Sequence, residues 1–487
     1  MTDFSQLNSW HANWRDLRVV VFGLGVTGFS VADTLAELGC KVLVVAEKAD
    51  AELLDILDVI GVEHISGEAA KGVPAAVKSF EAQLVITSPG VRPEHELLRW
   101  AADVAIPVWV DIELAWRVRD KNPERVADWL MITGTNGKTT TVQMVEAMIN
   151  QSGKRAIACG NIGTPVLDAI REPDGFDALV VELSSFQLHY LGTVKPFSAA
   201  VLNLADDHLD WHGSFEAYRD AKAKIFENTQ VACVYNVADS QTERMVENAD
   251  VQEGARAIGF TIGTPMRSQV GFVEDILCDR AFLDDRANNA LEIATLEDLS
   301  NIGVMTPHLM ANAAAATALA RSYGVSPVDI KAALKKFRLD AHRIELVAEV
   351  DGIRWIDDSK ATNPHAAAAS LNSFDNIVWV VGGLLKGVDI SELVKKYSDR
   401  IKAAIVIGKD REPVLEALSR HLGAKPVIEI LADAGSEVMA EVATAAVSLA
   451  RDGDTVLLAP AAASMDQFKD YADRGNSFAE AVRMALK

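Results

Sequence analysis

The residues best suited to chemistry lie together before a helical stretch. Thr133, Gly134, Thr135, Asn136, Gly137, Lys138, Thr139 and Thr140 follow an apolar run at 130–133 and lead through Thr141 into a helical pattern. Glycines let successive backbone amides turn inward around phosphate oxygens. The Lys138 ammonium supplies a point charge to the β- and γ-phosphates, and the Thr139 hydroxyl can ligate Mg²⁺. Ile132 stands where the usual phosphate-binding loop has its first glycine, and Gly134 sits closer to the Gly-Lys pair. The loop is therefore a short variant, and it predicts ATP binding.

Gly23, Leu24, Gly25, Val26, Thr27 and Gly28 form a second candidate phosphate loop, directly after an apolar run at 19–22. Such a loop holds a phosphate at a helix N-terminus. An NAD site also wants an acidic residue closing the second strand. Glu47 stands there beside Lys48, which suits a substrate phosphate better. NAD, another nucleotide, and glycines needed only for packing all stay open on this loop alone.

Two further residues close strand-like runs. Glu182 ends the run at 179–182, and His208 follows the run at 200–203. The carboxyl ends of parallel strands converge on the ligand crevice, so both can reach a second metal near Lys138. Asp206, Asp207 and Asp210 compete as ligands. The segments His342-Arg343 and Asp358 to Asn363 read, from residue type alone, as turn and strand-edge polarity.

The elements that must position these groups alternate along the chain. Val/Ile/Leu-rich runs at 19–22, 42–45, 84–87, 130–133, 179–182, 200–203, 231–236, 377–381, 403–407 and 456–458 lack polar alternation. They suit strands buried on both faces and separated by helices, hence parallel sheets in an α/β chain. Ser326, Pro327 and Asp329 mark a helix start, with Ile330, Leu334 and Phe337 on one face. Asp351-Gly352 between runs at 345–350 and 353–356 predicts a type I′ hairpin. Residues 237–300 are polar, acidic and weakly periodic, and read as irregular strands and loops appended to the middle of the chain.

At 487 residues the chain holds roughly three domains. The boundaries fall near Asp111 and Asp340, giving 1–110, 111–339 and 340–487. A formal charge of −22 disfavours general binding to nucleic acid or an anionic membrane, so any phosphate site must be local. A hydrophobic fraction of 49% excludes a disordered chain. No apolar run reaches the ~18 residues of a membrane span. Residues 1–18 carry Trp10 and Trp14 and no apolar secretory segment. The four cysteines are widely separated, which predicts reduced thiols in a cytoplasmic protein with neither a disulfide framework nor a zinc site.

The order of the motifs resembles the Mur ligases, the ATP-dependent amide-forming ligases of peptidoglycan precursor synthesis. The likeness runs through the Gly134–Thr140 stretch GTNGKTT, ELSSFQL at 182–188, the pattern ending at His208, His308 with Asn312, His342-Arg343, DDSKATN at 357–363, and the tail from Ser464 to Asn476. It implies three domains: a Rossmann-like one for a UDP substrate, a central P-loop-type ATPase with a parallel sheet, and a Rossmann-like C-terminal one for the amino acid. Within the family, the Gly23–Gly28 loop and the tail imply ligation of D-glutamate to UDP-N-acetylmuramoyl-L-alanine through an acyl phosphate, by a monomer whose third domain closes over the site.

The resemblance also implies roles. Gly134 to Thr141, Asn312, Arg343 and Asp358 would bind ATP. Thr139 would take the first Mg²⁺, while Glu182, His208 and a carbamate on Lys222 would hold the second. Read alone, Lys222 is a solvated helix face. Val26, Thr27 and Lys48 would lie beside the uridine diphosphate, with Asn161, Ser184 and His208 at the muramoyl-alanine portion. Thr362, Lys386, Ser464 and Tyr471 would hold the amino acid. Two places depart from the family's usual pattern. Leu309 follows His308 where Asn is usual, and Ala46-Glu47-Lys48 replaces an acidic residue, Thr or Ser, and Arg.

Overall fold

The apolar runs without alternation become strands covered on both faces. The computed structural model describes residues 3–303, 305–385, 387–433 and 435–486. They divide into two compact units. One comprises the chain up to Thr295 together with Ala311–Leu334, and the other Leu296–Met310 with the chain from Lys335 onward.

The first unit holds two sheets. A five-stranded parallel sheet runs in the order Glu63–Ser66, Lys41–Ala46, Arg18–Phe22, Leu84–Thr87, Val108–Trp109. The helix Val26–Glu37 follows its central strand. The second sheet has nine strands, and its functional half runs Ser198–Val201, Asp128–Thr133, Ala178–Glu182, Ala156–Gly160, all parallel. Val19, Val21, Met131, Val181 and Val201 belong to one buried cluster that serves both sheets.

The helix Asp111–Arg117 is buried at every position, its charged residues included. Glu113 accepts hydrogen bonds from Arg117 Nε (2.9 Å), the Gly192 and Thr193 amides (3.1 and 3.0 Å) and Thr193 Oγ1 (2.6 Å). Arg117 also donates to the Phe4 and Leu7 carbonyls at 2.7 and 3.1 Å. Buried charges persist only when paired and hydrogen-bonded in this way.

Residues 237–300 form the expected irregular strands appended to the middle of the chain, together with one helix that was not expected. They contribute a helix, Ser240–Glu247, and four strands that extend the nine-stranded sheet: Arg256–Phe260, Gln269–Val273, Ile276–Asp279 and Leu291–Thr295. The last two pairings are antiparallel. Weak periodicity follows from strands of four or five residues with a β-bulge between Leu277 and Cys278. The run at 200–203 is also displaced, because its strand is Ser198–Val201 and Asn203 lies in the loop beyond.

The second unit is a six-stranded sheet in the order Glu345–Val350, Ile353–Asp357, Thr455–Leu458, Ile377–Gly382, Ile401–Ile407, Val427–Glu429. Only its first pairing is antiparallel. That pairing is the expected hairpin, with Asp351 and Gly352 at φ 51° and 71° as a type I′ turn requires. The helix Pro327–Lys336, which belongs to the first unit through Leu334, begins where predicted, with Ser326 Oγ accepting from the Asp329 amide at 3.2 Å.

Candidate active site

Four adjacent strand ends build the site. The loop 134–137 leaves strand Asp128–Thr133 and enters the helix Lys138–Gln151. Glu182 closes the neighbouring strand, Asn161 follows the strand beyond it, and the segment carrying Asn203 and His208 follows the neighbour on the other side. Parallel register puts all four at one edge of the sheet.

The loop is held by specific bonds. Asn203 clamps it from both directions, with its Oδ1 accepting from the Asn136 amide (2.9 Å) and its Nδ2 donating to the Asn136 carbonyl (3.0 Å). The Thr135 amide donates to the Asn203 carbonyl at 3.0 Å. The Thr135 and Asn136 amides are thus committed within the protein, which differs from a cradle in which every loop amide faces phosphate. The helix start at Lys138 supplies the rest, since its first amides lack intrahelical partners. Gly137 caps that helix at φ 85°, with the buried Asn312 side chain directly against it.

Lys138 Nζ donates to the Gly134 and Thr135 carbonyls, both at 2.9 Å. Thr139 Oγ1 donates to Glu182 Oε2 at 2.9 Å, and Asn161 Nδ2 to Glu182 Oε1 at 3.1 Å. Lys222 is 2% exposed, on the same helix face as Tyr218, and donates to Thr133 Oγ1 and the Gly134 carbonyl, both at 3.0 Å. The solvated-face reading of Lys222 is therefore wrong. Burial, reinforced by the Lys138 ammonium, holds the Lys222 amine well below its ordinary value, with Asp207 and Glu182 acting in the opposite direction. Burial also lowers His208, which sits at φ 52° with its ring 4.7 Å from that of Phe186.

A cleft of about 460 Å³ gathers these groups. Thr27, Pro89, Gly90, Gly134, Lys138, Asn161, Ser184, His208 and Lys222 are among the residues that line it. The same loop that offers Pro89 and Gly90 continues into a second pocket of about 500 Å³, lined by Phe22, Gly23, Glu47, Lys48, Val91, Arg92, Glu94 and His95. That loop is tied to the segment after His208 by Trp211 Nε1 donating to the Val91 carbonyl (3.2 Å) and by Arg92 paired with Asp210 (2.7 Å). Asp210 thus serves as an ion-pair partner. In the Gly23 loop a Cβ on Gly28 would lie 2.1 Å from the Gly23 carbonyl oxygen, so this glycine permits close helix–loop packing. Val26 is exposed at the start of that helix.

In the second unit Asp358 and Thr362 follow the strand Ile353–Asp357, and Ser464 and Tyr471 follow its neighbour Thr455–Leu458; the two following segments are joined by the Ala461 amide donating to the Ala361 carbonyl at 3.0 Å. Burial pushes the Asp358 carboxyl up to about 6, against the opposing pull of Ser370 and Arg343. Ser359 Oγ donates to the Tyr471 carbonyl (2.8 Å), and Lys360 Nζ lies 3.7 Å from the Tyr471 ring. Arg474 is fully buried and binds Ser359 twice and the Ala462 carbonyl once. These contacts tie the segment at 357–363 to Ala462, Tyr471 and Arg474, which residue type alone did not indicate. Lys386 lies outside the described residues.

Family models match most of the chain: the Mur ligase MurD-like N-terminal domain at 17–110, the Mur ligase middle domain at 132–320, and the Mur ligase glutamate ligase domain at 342–462. A UDP-N-acetylmuramoylalanine–D-glutamate ligase of Leifsonia xyli is 58% identical over 99% of this chain and 95% of its own length. The chain belongs to the Mur ligase family. A second relative of the same name, from Streptomyces avermitilis, is 49% identical over 97% of this chain and 99% of its own. Among solved structures, a pseudomurein peptide ligase type C from Methanothermus fervidus shares the fold. Its TM-score is 0.57 at 17% identity, over 96% of this chain and all of that one.

This Mur ligase carries residues around the cleft to which motif reading gave no role. Asn203 and Tyr218 are two, the latter 2.9 Å from Thr135 Oγ1 through its hydroxyl. Asp111 and Gln187 are two more: the Gln187 amide donates to both Asp111 oxygens at 3.3 and 3.1 Å. The available signal was a run of charged residues in an otherwise apolar helix, DIELAWR.

Proposed function

We propose that this Mur ligase joins D-glutamate to UDP-N-acetylmuramoyl-L-alanine with hydrolysis of ATP to ADP and phosphate, as a cytoplasmic monomer. The observation that carries the substrate assignment is the 58% identity, over 99% of the chain, to a relative named for that reaction. The chemistry is supported by the cleft that joins Lys138 to Asn161, Ser184 and His208.

A carboxylate is a poor electrophile and must be activated. The L-alanine carboxylate oxygen attacks the γ-phosphorus, the bond to the β-phosphate oxygen breaks, and ADP leaves. Lys138 neutralises charge on the transferring phosphoryl group, and the amides opening helix Lys138–Gln151 hold the phosphates in line. The D-glutamate amine then attacks the acyl carbon, loses a proton, and phosphate departs from the tetrahedral intermediate. Asn161, Ser184 and His208 orient the muramoyl-alanine end, while Thr27 and Lys48 face the diphosphate. Asn312, Arg343 and Asp358 take the nucleotide, and Thr362, Ser464 and Tyr471 take the amino acid.

Thr139, Glu182 and His208 form a hard, mostly oxygen donor set that fits Mg²⁺ shared with phosphate oxygens. Two ions held there would neutralise the triphosphate and the developing charge. Lys222 would complete the second site as a carbamate. In its neutral form the buried, weakly basic amine attacks CO₂: a C–N bond forms as one C–O π bond opens onto oxygen, one proton leaves the nitrogen to solvent, and the neutral amine becomes an anionic oxygen ligand.

The test is coupled ADP release with UDP-N-acetylmuramoyl-L-alanine and a panel of amino acids. D-Glutamate alone should stimulate release. Stimulation by L-alanine or a diamino acid, with none by D-glutamate, overturns the assignment.

A further inference from the structure

The backbone of Asn203 is placed without help from its side chain. The Leu202 amide donates to the Thr133 carbonyl and the Asn203 carbonyl accepts from the Thr135 amide, both at 3.0 Å, so the parallel ladder runs on past the strand Ser198–Val201. The side chain then meets Asn136 twice. Its Oδ1 accepts from the Asn136 amide at 2.9 Å, and its Nδ2 donates to the Asn136 carbonyl at 3.0 Å. These two bonds hold different peptide units. The unit 135–136 has a second anchor, because its Thr135 carbonyl accepts from Lys138 Nζ at 2.9 Å. The unit 136–137 has Asn203 alone: among the described residues nothing else binds the Asn136 carbonyl, and the Gly137 amide has no partner. In a trans peptide the carbonyl and the N–H point in opposite directions. Drawing the Asn136 carbonyl toward Asn203 therefore turns the Gly137 N–H away from it, beside the opening turn of the helix Lys138–Gln151, whose dipole favours an anion. Glycine accepts φ of either sign, so Gly137 at φ 85° offers little resistance of its own to this unit turning over.

We propose that Asn203 is a positioning residue that fixes the polarity of the peptide unit 136–137, so that the Gly137 N–H, and not the Asn136 carbonyl oxygen, is presented to the phosphates of ATP. This rests on the reading that the loop receives those phosphates. Asn203 acts from the neighbouring strand end, through the loop backbone. With the unit turned over, a carbonyl oxygen would oppose the anion, and a donor would be replaced by a repulsion. An aspartate in place of Asn203 keeps the acceptor for the Asn136 amide and loses the donor. Its second oxygen repels the Asn136 carbonyl and attracts the Gly137 N–H, so this isosteric change drives the unit over. Alanine merely releases it.

The test compares N203A and N203D with the parent enzyme. It reads KM for ATP, KM for UDP-N-acetylmuramoyl-L-alanine, and the amide resonances of protein carrying ¹⁵N-labelled glycine. N203A should raise KM for ATP about tenfold, the value of one hydrogen bond, and N203D about tenfold further, with KM for the UDP substrate unmoved in both. Titration with ATP should shift the Gly137 resonance, identified by its loss in G137A, in the parent but not in N203D. N203A removes only the side-chain bonds, which keeps the test open should N203D fold poorly. If ATP shifts neither Gly134 nor Gly137 in the parent, the reading of the loop fails and the inference goes with it. If ATP shifts Gly134 but not Gly137, or if N203A leaves KM for ATP unchanged, or if N203D is no worse than N203A, the inference fails and the reading of the loop stands. A raised KM in N203D with a Gly137 resonance that still answers to ATP would mean that the new charge acts alone, and would overturn the inference. Parallel rises in KM for ATP and for the UDP substrate would mark a merely structural role for Asn203 and overturn it too.

Discussion

Gly137→Ala probes the phosphate loop at its tightest point. Gly137 sits at φ 85°, ψ −9°. An L-residue there costs roughly 1–2 kcal/mol. The added Cβ would lie 2.4 Å from Asn312 Oδ1 and 3.1 Å from its Cγ. Asn312 is 6% exposed and has little room, so it must leave its rotamer at about 0.5–1.5 kcal/mol. The expected loss of stability is therefore about 1.5–3.5 kcal/mol. The displaced Asn312 should also raise KM for ATP several-fold. Asn312→Ala removes the obstruction, so in the double variant the glycine substitution should cost only the backbone strain. Urea unfolding of the two single variants and the double variant gives the coupling directly, expected at about 1 kcal/mol in favour of the double. Strict additivity would show that the Cβ never meets Asn312, and would refute the close approach on which the reasoning depends.

Four further outcomes are expected. Lys138→Ala should reduce substrate-dependent ADP release by at least about 10²-fold while the chain stays folded, and near-normal release would remove the role given to this lysine. Lys222→Ala should be inactive and partly rescued by acetate or formate, whereas full activity without rescue would end the carbamate proposal. Asp111 is pushed up to about 6 by burial, above its unfolded value near 4. Its protonated form stabilises the fold below about pH 4, and that stability is lost as pH rises through about 6. Unfolding at pH 4 and pH 7.5 should show the stability of D111N relative to the parent improving with pH, by up to about 3 kcal/mol, and a pH-independent difference would contradict this. Gly475→Ala would place a Cβ 2.2 Å from His342 Nδ1 and 2.6 Å from Asp357 Oδ2, splitting an ion pair of 2.7 Å. Loss of about 3–5 kcal/mol should appear in urea unfolding.

Much of the fold was legible because buried parallel strands read as unbroken apolar runs, and the run at 84–87 matches its strand Leu84–Thr87 residue for residue. The phosphate loop was legible because its glycines, lysine and threonine are local in sequence. Lys222 was not. Its partners Thr133 and Gly134 lie far away in the chain, and only its i+4 relation to the buried Tyr218 hinted at an inward face. Asn203 was missed for the same reason, since a clamp is defined by what it holds. The strands after residue 255 were expected only as irregular strands and loops without bounds, because strands of four or five residues carry too few positions to show a period.

The loop from Pro89 to Arg92 walls two chambers at once, one beside Gly23 and one beside Lys138. A single inhibitor anchored in the first chamber and threaded past this partition would meet the second at a high effective concentration, so two weak fragments joined by a short tether should bind far more tightly than either alone. The same partition limits escape, because a substitution there that loosens such an inhibitor also deforms the passage used by the natural substrate.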